Sequence, residues 1–310
     1  MSLEDLASHT STRVDPISIN YKGFTVWECP PNGQGITALI ALGILESLQE
    51  NGVVKDLGDM KHNSAEYLHA VIESLRLAFE DSKYYVTDPD IYPIPVKELL
   101  SKRASLFDPK MAKVDVERGS PENSSDTVYF SIVDEEGNAC SYINSNYHGF
   151  GTGAVPEDCG FSLHGRGAGF VLKEGHPNCL EPNKRPYHTI IPSLVTKNQD
   201  LWLTFGGHVQ VLLNLIHHQF NPQVALDAPR IMIEPFNKES RSLVYAEEGI
   251  DKNAIRELQS MGHNLKEIKD WKRSVFGRGQ IIERRIDQNS QIRVWCGGSD
   301  PRGDGQVIGW

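Results

Sequence analysis

Apolar residues recur at alternate positions in some stretches of the chain and at every third or fourth position in others, and the changes between these periods mark out its elements. Residues 17–29 alternate as a strand does. Pro30-Pro31-Asn32-Gly33 then makes a turn into an apolar helix over 35–50, which Asn51-Gly52 stops. A second helix is predicted from Ser64 to Asp81, with Ser64 as cap, Glu66 in the first turn, and Leu68, Val71, Ile72, Leu75 and Phe79 at helical spacing. Prolines and aspartates from Tyr84 to Pro95 describe a loop, followed by a short helix over 96–106 and a polar linker over 115–126. Strands at 127–134 and 138–146 flank an acidic, Gly-Asn-containing hairpin turn, after which a glycine-rich segment, 149–169, runs along a surface. Strands at 190–196, 201–205, 280–285 and 292–296 and helices at 208–219, 225–228 and 252–261 complete the pattern. Helices bracketing strand hairpins predict an α+β layered sandwich.

Composition narrows the function. With 310 residues, 39% hydrophobic and 23% charged, the chain can bury one large core or two small ones. A formal charge of −10, without a long basic run, disfavours nucleic acid or an anionic membrane as partner. The longest apolar stretch, Ile36 to Leu45, is about half of the ~20 residues that span a bilayer. Met1-Ser2-Leu3-Glu4-Asp5-Leu6 has no positive region followed by an apolar core, so the expectation is a chain without a secretory signal, in the cytoplasm. Five scattered cysteines, at 29, 140, 159, 179 and 296, fit neither a zinc site nor a disulfide framework. Cys140, inside an alternating strand, reads as a small core residue.

The chemistry centres on Thr127, which follows Asn123-Ser124-Ser125-Asp126 and heads a strand. A threonine hydroxyl needs a base within hydrogen-bond reach. If the chain is cut before Thr127, its own freed α-amino group, with a pKa of about 7.7–8.0, supplies one. The same hydroxyl can make the cut by attacking the Asp126 carbonyl and forming an ester that water opens. The plainer reading is that a β-branched residue simply begins a strand.

Ser125-Asp126-Thr127, Asp134-Glu135-Glu136-Gly137-Asn138-Ala139 and Gly149-Phe150-Gly151-Thr152-Gly153 decide between these readings, because together they resemble the γ-glutamyltranspeptidase family of N-terminal-nucleophile hydrolases. Glu28 to Gly35, Tyr84 to Pro89, Pro182 to Pro186, Ala228-Pro229-Arg230 and Gly298 to Arg302 extend the likeness nearly end to end. The resemblance implies a four-layer αββα sandwich lacking part of the large-subunit half, with residues 1–126 the end of a large-subunit-like region and 127–310 a small-subunit-like catalytic region. A front-truncated member would expose apolar faces and favour self-association. Cut pieces would stay together because the strand after Thr127 lies in a sheet shared by both.

By the same resemblance, Ser145 orients the nucleophile, Gly206-Gly207 supply the oxyanion hole, and His188-Thr189 stand where the family grips a substrate carboxylate. Gly206-Gly207 also fit a tight strand-to-helix turn, in a segment shorter than in relatives. Arg166 stands where the family holds the substrate's amino group with acids; Ala168 and Gly169 replace those carboxylates. It can bind a carboxylate, or pair with Glu157 or Asp158.

The implied function is acyl transfer from a γ-glutamyl amide such as glutathione, or from a glutaryl-type carboxyacyl amide, to an amine or water, with no metal or organic cofactor. The competing reading is an inactive family member that acts as a binding protein. Arg302-Gly303-Asp304 reads as structural, His217-His218 as neighbours pointing apart, and Gly165-x-Gly167-x-Gly169 as no dinucleotide site.

Overall fold

Alternation over 17–28 yields two strands, β1 (Ile17–Tyr21) and β2 (Phe24–Glu28), turned by Lys22 and Gly23 at φ 51° and 80°. Two consecutive positive φ angles match the twist of the flanking strands. The computed structural model describes residue 4 and residues 7–100, 104–112, 126–234 and 243–309. β2 pairs antiparallel with β5 (Ser193–Lys197), and β6 (Asp200–Phe205), β10 (Gln280–Ile286) and β11 (Arg293–Ser299) complete a six-stranded sheet in the order β1-β2-β5-β6-β10-β11. Residues on both sides of position 127 therefore share this sheet.

Helix α1 (Gly35–Glu50) packs on β1, β2 and α2 (Ala65–Tyr85), so Ile36, Leu39, Ile40, Leu42 and Leu45 are all buried. Being covered on several sides explains why its sequence is apolar nearly all round. α2 begins on the predicted cap, Ser64, whose hydroxyl accepts from the Tyr67 amide. Thr37 on α1 donates to Ser82 on α2 at 2.6 Å, a buried polar tie between the helices.

The predicted helix over 96–106 is shorter, with α3 (Val96–Leu99) and a 3-10 turn at Ala104–Leu106. The predicted linker falls outside the described residues up to Ser125. α4 (Val209–His217) and α5 (Pro222–Asp227) follow β6, and Asn221 caps α5 with Pro222 at its first position. Three further strands, β7 (Ile231–Ile233), β8 (Val244–Glu247) and β9 (Leu265–Ile268), form a small sheet that the sequence pattern does not reveal. α6 (Lys252–Ser260) is the crossover between parallel β8 and β9.

β3 (Asp126–Val133) and β4 (Ala139–Tyr147) pair with each other and lie against β6 and β10. The hairpin is fastened from its inner face by Tyr129, whose hydroxyl lies 2.9 Å from Ser141 Oγ and 3.2 Å from Thr204 Oγ1 of β6. The strand after Thr127 is thus not buried in the sheet that joins the two parts of the chain. β2–β5 pairing makes that junction, while β3 forms a layer above it.

The outer face of the hairpin is apolar. Val128, Phe130, Ile132 and Tyr142 are 67%, 43%, 51% and 46% exposed, and the Phe130 and Tyr142 rings stack at 4.8 Å. Cys140 lies on this exposed face, so it is not a core residue. It alternates correctly, but the sequence does not say which face of the hairpin is inside. A Phe130→Ser/Ile132→Ser variant should lose self-association seen by light scattering, with a stability change within about ±0.5 kcal/mol because both side chains are solvated. Unchanged association would remove this face as its cause.

Candidate active site

Thr127 faces inward near the head of β3, and it pairs in register with Ser145. The register shifts between Asp126 and Thr127, because Asp126 pairs with Tyr147 and leaves Asn146 unpaired in β4. Such a bulge bends the strand and re-aims the side chains beside it. Tyr147 adopts φ 72°, a left-handed conformation costing on the order of 1–3 kcal/mol for a side-chain-bearing residue. The distorted backbone adjoins the expected cleavage bond.

The Thr127 hydroxyl donates to Ser145 Oγ at 3.0 Å, and the same Ser145 oxygen accepts from the Tyr147 amide at 3.1 Å. The guanidinium of Arg166 lies 4.9 Å above the Tyr147 ring, and its Nη1 donates to Thr189 Oγ1 at 2.7 Å. Thr127, Ser145, Arg166 and Thr189, read separately from the sequence, are thus linked into one constellation through Tyr147.

Arg166 is 6% exposed, and its Nη2 has no hydrogen-bond partner. Burial lowers its pKa, yet a guanidinium remains protonated. No carboxylate among the described residues pairs with it, so the pairing with Glu157 or Asp158 is not formed. Nearby cations are already committed. Arg185 binds Asp88 at 2.6 Å and Asp90 at 2.7 Å, and Lys184 binds Glu181 at 3.0 Å.

His188 is fixed by its backbone, which donates to Asn32 O at 3.1 Å and bridges to Gly33. Its Nδ1 is buried without a partner. Burial, helped by the charges of Arg166 and Arg185, drops its pKa to about 4. At neutral pH His188 therefore offers an uncharged ring, and the positive charge of this region resides on Arg166.

Gly206 and Gly207 turn the chain from β6 into α4. A Cβ on Gly206 would lie 3.8 Å from Cγ of Tyr129, which shares the inward face of β3 with Thr127. Gly207 has φ 66°, and a Cβ there would meet Ile191 O at 2.8 Å and Ser193 Oγ at 2.9 Å. Packing alone therefore requires glycine at 207, while position 206 has room for a Cβ. His208, next in the chain, is held neutral by burial, its pKa about 4.

Glu28 is a site neighbour not singled out from the sequence. It is 2% exposed at the end of β2; Ser193 Oγ donates to its Oε1, and its Oε2 has no partner. The second oxygen lies 2.7 Å from where a Gly35 Cβ would be. Burial raises its pKa to about 8, against the opposing Ser193 bond. Ser193 also abuts Gly207, so a protonated carboxyl underlies the Gly206-Gly207 turn. The signal was present in the strand pattern, since Glu28 falls in phase with buried Val26.

Among the described residues, no three His, Cys, Asp or Glu side chains gather as a metal site, and no helix is long and apolar enough to cross a membrane. His217 and His218 face apart: His217 bonds Tyr21 at 2.8 Å, while His218 packs edge-on to His62.

A threonine at a strand head, facing a serine across a bulged hairpin laid on a larger sheet, is the α+β sandwich of an N-terminal-nucleophile hydrolase. The gamma-glutamyltranspeptidase family model matches residues 1–310, and the chain belongs to that family. It is 33% identical over 320 residues to the glutathione hydrolase-like YwrD proenzyme of Bacillus subtilis, covering 100% of this chain and 58% of that protein. The oxamate amidohydrolase proenzyme of Klebsiella pneumoniae is 27% identical over 323 residues, with the same two coverages, 100% and 58%. The crystal structure of a cephalosporin acylase from Bacillus halodurans superposes with a TM-score of 0.82 at 38% identity, covering 100% of this chain and 55% of that one. The chain spans a little over half the length of these relatives.

Glu28 sets a pH dependence of stability. Between the ordinary carboxylate pKa of 4.5 and about 8, the unfolded carboxyl ionises while the folded one stays protonated, so stability falls as pH rises. Each unit removes up to about 1.4 kcal/mol. Glu28→Gln, neutral throughout, should gain on the parent protein from pH 5 to 8 in urea melts and level off above that range. A difference independent of pH would mean that Glu28 is ionised in the fold.

Proposed function

We propose that the chain carries the catalytic centre of an acyltransferase or amidohydrolase whose nucleophile is Thr127, released by self-cleavage at Asp126-Thr127. The observation that carries this reading is the Thr127–Ser145 hydrogen bond of 3.0 Å beside a register bulge at that junction. Thr127 Oγ attacks the Asp126 carbonyl, the peptide nitrogen leaves as the α-amine of Thr127, and water splits the resulting ester into a carboxylate and a free hydroxyl. In turnover, the α-amine takes the hydroxyl proton as Oγ attacks the substrate amide. The leaving amine takes a proton, and the Thr127 ester passes its acyl group to water or another amine. In this reading Gly206 and Gly207 donate to the developing oxyanion; one such donor is worth about 2.7–4 kcal/mol.

The acyl donor carries a carboxylate that Arg166 binds, with Thr189 fixing the guanidinium and neutral His188 able to contribute one hydrogen bond. γ-Glutamyl amides such as glutathione and glutaryl amides both meet this requirement. Arg166, with no paired acid beside it, favours the glutaryl class, since an α-ammonium group would face a guanidinium without a compensating carboxylate. A relative with a cephalosporin acylase structure is in keeping with that preference.

Intact-mass measurement of the purified chain over time should reveal a fragment beginning at Thr127, and Thr127→Ala should remain uncut. A folded parent protein that stays uncut would overturn self-activation and favour the inactive binding protein. On cut protein, glutaryl p-nitroanilide should be hydrolysed with a higher kcat/KM than its γ-glutamyl counterpart. Arg166→Gln should lower the glutaryl value about 10- to 100-fold, the loss of a charged hydrogen bond of roughly 1.5–3 kcal/mol, mainly through KM. Equal loss with an uncharged acyl donor would remove Arg166 from carboxylate binding.

A further inference from the structure

The loop between β2 and α1 precedes Thr127 in the chain, yet its hydrogen bonds reach residues 186–188, which follow it. Asn32 Nδ2 donates to Pro186 O at 2.6 Å, Asn32 O accepts from the His188 amide at 3.1 Å, and Gln34 Oε1 accepts from Tyr187 OH at 2.7 Å. Residues 32–34 and 186–188 thus run side by side, with Gly33 and His188 in a parallel bridge. A Cβ on Gly33 would meet His188 Cε1 at 2.9 Å, so glycine is what lets the histidine ring rest on this loop.

The same strip meets the Arg166–Gly169 turn on another side. A Cβ on Gly169 would lie 2.6 Å from Tyr187 O, and Thr189, one residue past the strip, accepts from Arg166 Nη1 at 2.7 Å. Pro186 to Thr189 is therefore a link between the Asn32–Gln34 loop and the guanidinium. Asn32 and Tyr187 are buried, and a buried group deprived of its partner must move or stay unpaired. Cohesion does not account for these bonds, because β2–β5 pairing already joins the two parts of the chain. What they fix is the placement of the strip.

We propose that Asn32 and Gln34 are positioning residues for the carboxylate site at Arg166, which makes that site a composite of the chain before Thr127 and the chain after it. This rests on the reading of Arg166 as the carboxylate ligand. Both residues act through Pro186 to Thr189, and the Glu28 to Gly35 segment gains a part in selecting the acyl donor.

Glutarate is the first probe, titrated calorimetrically into the 310-residue Thr127→Ala chain so that neither cleavage nor turnover enters. It should bind with a Kd near or below about 1 mM. Gln34→Leu and Tyr187→Phe should each weaken binding about 3- to 10-fold, the range of one net hydrogen bond, and the double variant should be no weaker than either single one because both remove the same bond. Asn32→Ala should give a similar loss if thermal melts show it folded; the Gln34 and Tyr187 variants carry the test if it is not. On cut protein, Gln34→Leu should raise KM for glutaryl p-nitroanilide by the same factor, with kcat and the hydrolysis of butyryl p-nitroanilide within about twofold of the parent. No glutarate binding by the parent would overturn the Arg166 reading and this proposal together. Binding by the parent that Gln34→Leu leaves unchanged, additive losses in the double variant, or an equal loss with the butyryl anilide would overturn this proposal alone.

Discussion

The pairing of β2 with β5 is the contact on which the rest of the architecture depends. Thr25, Val26 and Trp27 lie opposite Thr196, Val195 and Leu194, and Trp27 Nε1 donates to Thr196 Oγ1 at 2.9 Å. Through these residues the chain before Thr127 and the chain after it build one sheet. α1 covers that sheet and α2 packs on α1, and the apolar cluster they build draws on both parts of the chain. Opening the Asp126–Thr127 bond would leave this pairing and the helix packing untouched. The hairpin that carries Thr127 is different: Tyr129 and neighbouring inward residues hold it to β6 and β10 with its outer face in solvent. A two-stranded hairpin has little stability alone. A stable sheet below and a lightly held hairpin above give a junction that can rearrange without unfolding the core.

The buried charges divide by role. Arg302 bonds Glu247 Oε1 at 2.7 Å and Asp300 Oδ1 at 3.0 Å, joining β8, the end of β11 and the Leu226–Ala228 carbonyls in one network. That network ties down the Ala228-Pro229-Arg230 and Asp300-Pro301-Arg302 segments and buries the Arg302 side chain, which gives Arg302-Gly303-Asp304 a structural role. Arg166 is also buried but has no acid. A buried cation without a carboxylate is costly, which makes its environment one that an anionic ligand improves.

Periodicity made most of the fold legible. Helices α1 and α2, the β3–β4 hairpin and the strands of the large sheet follow directly from alternating and helical spacing, with Ser64 marking a cap as expected. Strands β7 to β9 were not visible, because segments of three or four residues are too short to show a period. Cys140 was misplaced because alternation distinguishes two faces without saying which is covered. Thr127 and Ser145 could be paired across a predicted hairpin from sequence alone. Tyr147, which links that pair to Arg166, could not, since its role depends on a bulge and a left-handed backbone.

Gly207 is demanded by packing, whereas Gly206 has room for a side chain, so the two glycines of the turn differ in what fixes them. The steric case is complete without catalysis, since Gly207 leaves no room for a Cβ against Ile191 and Ser193. Its neighbours nevertheless bear on electrostatics. Glu28 is held protonated and His208 neutral by burial, so neither places a full charge beside the turn at neutral pH. A negative charge developing near the turn would therefore meet backbone dipoles without repulsion from Glu28, an arrangement that lasts only while that carboxyl keeps its proton. The burial that weakens the fold as pH rises is thus the same burial that keeps a negative charge away from the turn.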